Sequence, residues 1–422
     1  MPGGTDGLPV VRGGQFGIIC RDSTACGHRN PGLARYPAGM STDDPALAAA
    51  LLADLVAQPD LPGRPNRRIA GRMQDHLARH GIGCTVIPAD APDRVNLLAT
   101  IGPRDVPGYI LSGHMDVVPA EGQIWASDPF RLRAEGGRLF GRGTSDMKGF
   151  LACMLAMAPA FAAMPLRRPI HLAFSCDEEI GCRGVPYLIA RLPDLCARPS
   201  GCIVGEPSGL RPVLSHKGKQ AVEMVIEGRA AHSSQPGAGV NALYAAAEIV
   251  LFIRALGADL AAEGPFDPRF DPPQSTVVAG LAQGGTAVNI IPDRATVAME
   301  VRSVPGQAPQ AITARVLNRL AALVVEGKAL AVHHSELSSY PALPPPDDHS
   351  LAGLIERLTG QTALQSVSYG TEAGLFDAAG VPSVICGPGS ISRAHRPDEY
   401  ITTDELGACC GMLRRLAQHL CQ

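Results

Sequence analysis

Three apolar runs in this chain end abruptly in histidine or acid, and that pattern limits what the chain can fold into. Residues 109–113 lead into His114-Met115-Asp116 and stop at Pro119, 170–176 into Asp177-Glu178-Glu179, and 202–205 into Glu206. A fourth run, 381–385, passes through Gly387-Pro388-Gly389 to His395. Short continuous apolar runs are the mark of strands covered on both faces. In an open α/β sheet, functional groups gather beyond the carboxyl ends of such strands.

Each cluster has its own local logic. His114 and Asp116 are two apart, so on extended backbone they face the same side. His114 can then bind a metal while the Asp116 carboxylate holds its other ring nitrogen. Asp146 lies in Gly141-Arg142-Gly143-Thr144-Ser145-Asp146, where two glycines permit unusual backbone angles, and it precedes the apolar run 150–163. Locally it reads as an ordinary helix N-cap. The three consecutive acids 177–179 repel one another; a cation relieves that, and a proton-shuttling base exploits it. Singly, each cluster is equally a solvated strand end, an N-cap or an acidic turn. Together they supply what two divalent cations sharing one carboxylate need.

Helices are expected at 45–57, 66–80, 147–163, 308–326, 348–359 and 402–420, and strands at 95–101, 107–113, 169–175, 201–205 and 381–386. This alternation predicts an α/β fold with a doubly wound sheet. The middle differs: a strand at 220–227, a helix at 240–256, strands at 275–281, 287–291 and 295–302, a helix, and a strand at 329–335. That order is ferredoxin-like α+β. The expected organisation is a catalytic part at 40–216, an inserted unit at 217–338 and a second catalytic part at 339–422. Residues 1–39 are rich in Gly, Pro and Arg without apolar periodicity. They are expected to be disordered or foreign to the natural protein, with Met40 as the start; a Cys20/Cys26/His28 metal site is the alternative.

These motifs resemble those of the M20 family of dinuclear metallo-aminoacylases and peptidases, and most of all its amino-acid deacetylase branch. The resembling segments are LSGHMDVVPAEGQIWASDPF from Leu111, GRLFGRGTSDMKGF from Gly137, SCDEEIG from Ser175, VGEPSG from Val204, SHKGK from Ser215, GRAAHSS from Gly228, GGTAVNIIPD from Gly284, YGTEAGLF from Tyr369 and CGPGSISRAHRPDEY from Cys386. The likeness implies a mixed sheet with an inserted lid and dimerisation unit, and two divalent ions, zinc or else cobalt. His114 and Glu206 would hold one ion, Glu179 and His395 the other, and Asp146 both. Glu178 would be the general base, with Asp116 supporting the site. His232 would reach a partner subunit's site as an oxyanion donor. Asn289 and Arg302 would hold a substrate α-carboxylate, Arg bidentately, and Gly370 and Thr371 would line the cleft. Glu372 could read a cationic side chain, and Lys217 is equally a substrate contact or a hinge residue. Asp177 reads as a solvated or supporting acid and His171 as a core residue.

The implied activity is removal of an acetyl group from a small N-acyl amino acid by a homodimer. A desuccinylase or a general aminoacylase is the rival within this chemistry, and a metal-binding scaffold without turnover the rival outside it. A net charge of -3 argues against nucleic acid as an electrostatic partner. Twelve scattered cysteines without a C-x-x-C pair argue against a zinc ribbon and for a reduced, cytoplasmic setting. No apolar stretch is expected to reach membrane length with clean flanks.

Overall fold

In this computed structural model the described residues are 45–91 and 93–422. The expectations on residues 1–39, Met40 and Cys20/Cys26/His28 lie outside them. Helices Pro45–Val56 (α1) and Arg67–Arg79 (α2) precede strands Cys84–Pro88 (β1), Val95–Ile101 (β2) and Tyr109–His114 (β3). Short strands Arg133–Glu135 (β4) and Arg138–Phe140 (β5) lead to helix Gly149–Ala163 (α3), strand Ile170–Ser175 (β6), helix Val185–Leu195 (α4) and strand Gly201–Pro207 (β7). Next come Gly218–Glu227 (β8), Ala242–Glu263 (α5), Thr276–Gly284 (β9), Arg294–Ser303 (β10), Pro309–Val325 (α6) and Ala331–Tyr340 (β11). Helices Ser350–Thr359 (α7) and Ala373–Ala378 (α8), strands Ser383–Gly387 (β12) and Tyr400–Thr402 (β13), and helix Thr403–Leu420 (α9) complete the chain.

The main sheet runs β1-β2-β6-β3-β7-β12. Strands β6, β3, β7 and β12 are mutually parallel, while β2 and β1 join through antiparallel pairs. The α/β expectation therefore holds, with a mixed sheet. The carboxyl ends of the four parallel strands share one edge. On one face, Leu188 and Leu192 of α4 and Phe376 of α8 pack on Ile110, Ala173 and Val204. On the other, α3 lies across β2, β3 and β6, with α1, α2 and α9 beside it. A Cβ at Gly205 would lie 2.0 Å from the Phe150 ring, so only glycine lets α3 approach β7 there.

The four-stranded sheet runs β11-β8-β10-β9, every pair antiparallel. On β8, every second residue is buried, with Val222, Met224 and Ile226 beneath α5 and α6. The sheet's other face presents Lys219, Glu300 and Arg302. Each residue of period two must choose a face, so one strand builds both a core and a polar wall.

Two expectations are corrected. Residues 287–291 are not a strand: they form a turn, with one isolated bridge between His232 and Ile290. Thr144–Ala163 is long and apolar enough to cross a membrane, contrary to the expectation that no stretch is, but most of it is buried within the protein. A helix packed on every side needs no polar stripe.

Candidate metal centre

His114 ends β3, with its Nδ1 2.9 Å from the Asp116 carbonyl oxygen. A carbonyl can only accept, so Nδ1 carries a proton and Nε2 is the ring nitrogen left to meet a cation. That Nε2 lies 3.1 Å from Asp146 Oδ1 and 3.6 Å from Glu206 Oε1. Across Asp146, the Nε2 of His395 lies 3.3 Å from Oδ2 and 3.1 Å from Glu179 Oε2. The two Asp146 oxygens thus face two separate His–Glu sets. His114/Asp146/Glu206 and Asp146/Glu179/His395 are each compact enough for one cation, and nitrogen plus carboxylate donors suit a divalent one.

The electrostatics support that fit. Burial and the Asp146 charge push the Glu206 carboxyl well above its usual range. Burial pushes Glu178 up to about 8; Glu179, Glu372 and Asp146 add to this and His114 opposes it. Hydrogen bonds to Asp146 and Glu179 raise His395 to about 10. Burial would lower His114, but Asp146 and Glu206 hold it well above the ordinary value. Four carboxylates crowd around two imidazoles, and divalent cations relieve their repulsion directly.

Three supports hold this geometry. Asp116 is fully buried, but its role differs from expectation. Its carboxylate is 3.8 Å from His114 Nδ1 and instead accepts the backbone N–H groups of Glu178 and Glu179, at 3.2 and 3.1 Å. The chain turns at Asp116 so that its carbonyl, not its side chain, reaches the ring. Glu399, from the far end of the sequence, accepts the backbone N–H groups of Gly143, Ser145 and Asp146 and pairs with Arg142 at 2.8 Å. This makes Asp146 a presented carboxylate rather than an N-cap. Arg94 clasps Asp177 with two nitrogens, at 2.9 and 2.6 Å, and also pairs with Asp60. Asp177 is therefore a buried structural acid and not a solvated one. The signal for Glu399 lay in the AHRPDEY ending, but nothing local marked its partner; Arg94 and Asp60 carried no signal.

The cleft beside these residues holds about 170 Å³ and is lined by Asp146, Glu178, Glu179, Glu206 and His395 together with Lys219, Arg302, Tyr340, Tyr369 and Gly370. Gly370 and Arg302 are thus both part of the cleft wall. Arg302 donates to Glu300 at 2.6 Å and to the Tyr340 hydroxyl at 2.9 Å. Thr371 is buried behind the wall, its hydroxyl oxygen accepting the Ala373 N–H of α8. Asn289 and His232 are exposed neighbours, with the Ser233 N–H donating to the Asn289 carbonyl, and neither lines this cleft. Lys217 is buried, donating to the carbonyls of Pro272 and Gln274. Glu372 is buried too, bonded to the Ser112 hydroxyl, so it is not an exposed reader of a cation. His171 is a core residue against Thr100.

A double cluster of carboxylate and imidazole, one half buried and the other opening to the cleft, at the carboxyl edge of a mixed α/β sheet is the centre of a metal-dependent hydrolase. The pattern of peptidase family M20/M25/M40 matches residues 110–419, and the chain belongs to that family of amidohydrolases and peptidases. It is 31% identical over 378 residues to the acetylornithine deacetylase of Photorhabdus laumondii, covering 88% of this chain and 96% of that protein. It is 35% identical over 346 residues to that of Yersinia pestis, covering 79% and 85%. Among solved structures it resembles an M20 metallo-carboxypeptidase from Sulfolobus solfataricus, with a TM-score of 0.72, 18% identity and coverage of 89% and 99%. It also resembles a dinuclear metal-binding M20 peptidase from Bacillus subtilis, with a TM-score of 0.62, 16% identity and coverage of 89% and 98%. The relatives and the site together support a metal-dependent hydrolase of N-acyl amino acids.

Proposed function

We propose that the protein hydrolyses N2-acetylornithine to ornithine and acetate, a step of arginine biosynthesis, in the cytoplasm and as a homodimer. The observation that carries this reading is Asp146, whose two oxygens face separate His–Glu sets. The deacetylase names of the relatives support the substrate, and the described cysteines, none of them in a disulfide, support a reducing compartment.

His114 and Glu206 would hold one divalent ion, Glu179 and His395 the other, and Asp146 both, with zinc first and cobalt as the alternative. Bound there, such a pair would supply Lewis acidity that lowers the pKa of water and polarises the amide carbonyl. Glu178 takes the proton from the attacking water as the new C–O bond forms, and returns it to the nitrogen as the C–N bond breaks. Arg302, its guanidinium oriented by Glu300 and Tyr340, receives the α-carboxylate. His232 and Asn289, exposed together on the inserted unit, complete the site of a second copy, where His232 donates to the tetrahedral oxyanion.

One observation favours a second reading. Lys219 stands beside Arg302 in the cleft, and two cations suit a substrate with a further carboxylate, such as succinyl-diaminopimelate. A panel of N-acetyl and N-succinyl amino acids, assayed with chelator and after metal is restored, separates the two. Fastest turnover of N2-acetylornithine is expected; faster turnover of the succinyl compound would replace this reading, and chelator-resistant activity would overturn both.

A further inference from the structure

The turn carrying Glu178 contains a second polar group that the reaction scheme leaves unused. Cys182 is buried, at 1% exposure, and its Sγ lies 3.4 Å from Glu178 Oε1. Among the described residues it is the one hydrogen-bonding partner recorded for the Glu178 carboxylate. The backbone closes the same link, because the Glu178 carbonyl accepts the N–H groups of Gly181 and Cys182, both at 2.8 Å. Cys182 sits at φ 57°, in the left-handed region. A residue with a Cβ is strained there and glycine is not. Gly181 and Gly184 on either side leave no room to relax: a Cβ on them would lie 2.0 Å from Ser338 and from the Cys176 carbonyl, respectively. The turn thus holds a thiol at a backbone angle that glycine would adopt at lower cost.

We propose that Cys182 is a positioning residue, whose S–H donates to Glu178 Oε1 and leaves Oε2 turned toward the attacking water. Glu178 must accept a proton on one side of the cleft and deliver it on the other, so a carboxylate free to rotate spends part of its time aimed at neither. One donor on one oxygen removes that freedom. Burial, with Glu178 and Glu372 nearby, pushes the thiol well above its usual range, so it stays protonated and able to donate.

This inference rests on Glu178 being the base, and the test separates the two. Cys182→Ser keeps a donor, Cys182→Ala removes it, and Cys182→Gly removes it while relieving the backbone. In the metal-loaded enzyme, Cys182→Ala and Cys182→Gly should each lower kcat roughly tenfold, with KM, metal content and Tm nearly unchanged, and Cys182→Ser should restore most of kcat. In a Glu178→Gln background the same changes should have no further effect. Unchanged kcat in both the alanine and glycine variants, or an equal loss in the serine variant, overturns the positioning role. If Glu178→Gln alone keeps full turnover, the base assignment is what fails.

Discussion

At the scale of single residues, the site is a problem of aiming lone pairs. The Asp116 carbonyl spends the His114 proton, and the Asp116 carboxylate spends the two N–H groups that would otherwise face the cleft. What the two His–Glu sets then turn toward each other is mainly carboxylate oxygen and imidazole nitrogen. Glu178→Gln keeps the size of the base and removes its proton affinity. Turnover should fall at least about a hundredfold with metal content near the wild-type value, read by elemental analysis beside steady-state kinetics. Loss of metal with partly retained activity would exchange the roles of Glu178 and Glu179. His114, Glu179 and Glu206 were legible because they follow closely on apolar runs, a pattern that burial rarely tolerates without a purpose, whereas Asp146 and His395 gained meaning only beside them. The hydrogen-bonding role of Asp116 was not, since two residues of a strand end share a side whether or not the chain then bends.

At the scale of elements, the metal loop is held by a residue 253 positions away, Glu399. Glu399→Gln leaves Arg142 buried beside a neutral group and offers an amide where three N–H groups need an acceptor. The cost should be on the order of 3 kcal/mol, with a roughly 10- to 100-fold loss of metal affinity, measured by denaturant unfolding and by metal titration. A second element-scale prediction concerns α2. His76 lies against the Leu155 carbonyl of α3, and burial lowers its pKa to about 4. The unfolded chain, near the ordinary 6.5, therefore binds more protons than the folded one between about pH 6.5 and 4. The stability from neutral His76 is complete above that window and is lost as pH falls through it, by up to on the order of 3 kcal/mol. His76→Leu should give a shallower decline in Tm between pH 7 and 5; an unchanged slope would put the acid sensitivity elsewhere. The long apolar helices and the parallel strands were legible from period and burial. Strand β1, with a half-exposed pattern, and helix α4, with Pro193 inside it, fell below that signal. Residues 287–291 are mostly apolar, as a strand would be, but among the described residues their one pairing is the isolated bridge between Ile290 and His232.

For the whole molecule, the open question is how His232 meets the chemistry. It is exposed and outside its own chain's cleft, which supports a role across a dimer. Glu178→Gln and His232→Ala proteins, each nearly inactive, should rescue one another after subunit exchange. A mixed dimer holds one site with both groups and one with neither. At equal mixing about half the dimers are mixed, giving on the order of a quarter of wild-type activity. Verified exchange without recovery would leave His232 outside the reaction.

The cleft is also a junction between two inheritances. The residues that would bind metal and move protons belong to the main sheet and its loops, whereas Lys219, Arg302 and Tyr340 belong to the four-stranded sheet, lying side by side in one row across β10, β8 and β11. If the proposed roles hold, choice of substrate and power of catalysis are stored in separate stretches of sequence that meet only in space. A change in that row would then redirect the enzyme toward a new acyl amino acid without disturbing a single metal ligand, so a lineage with this architecture would diversify its diet while keeping its chemistry.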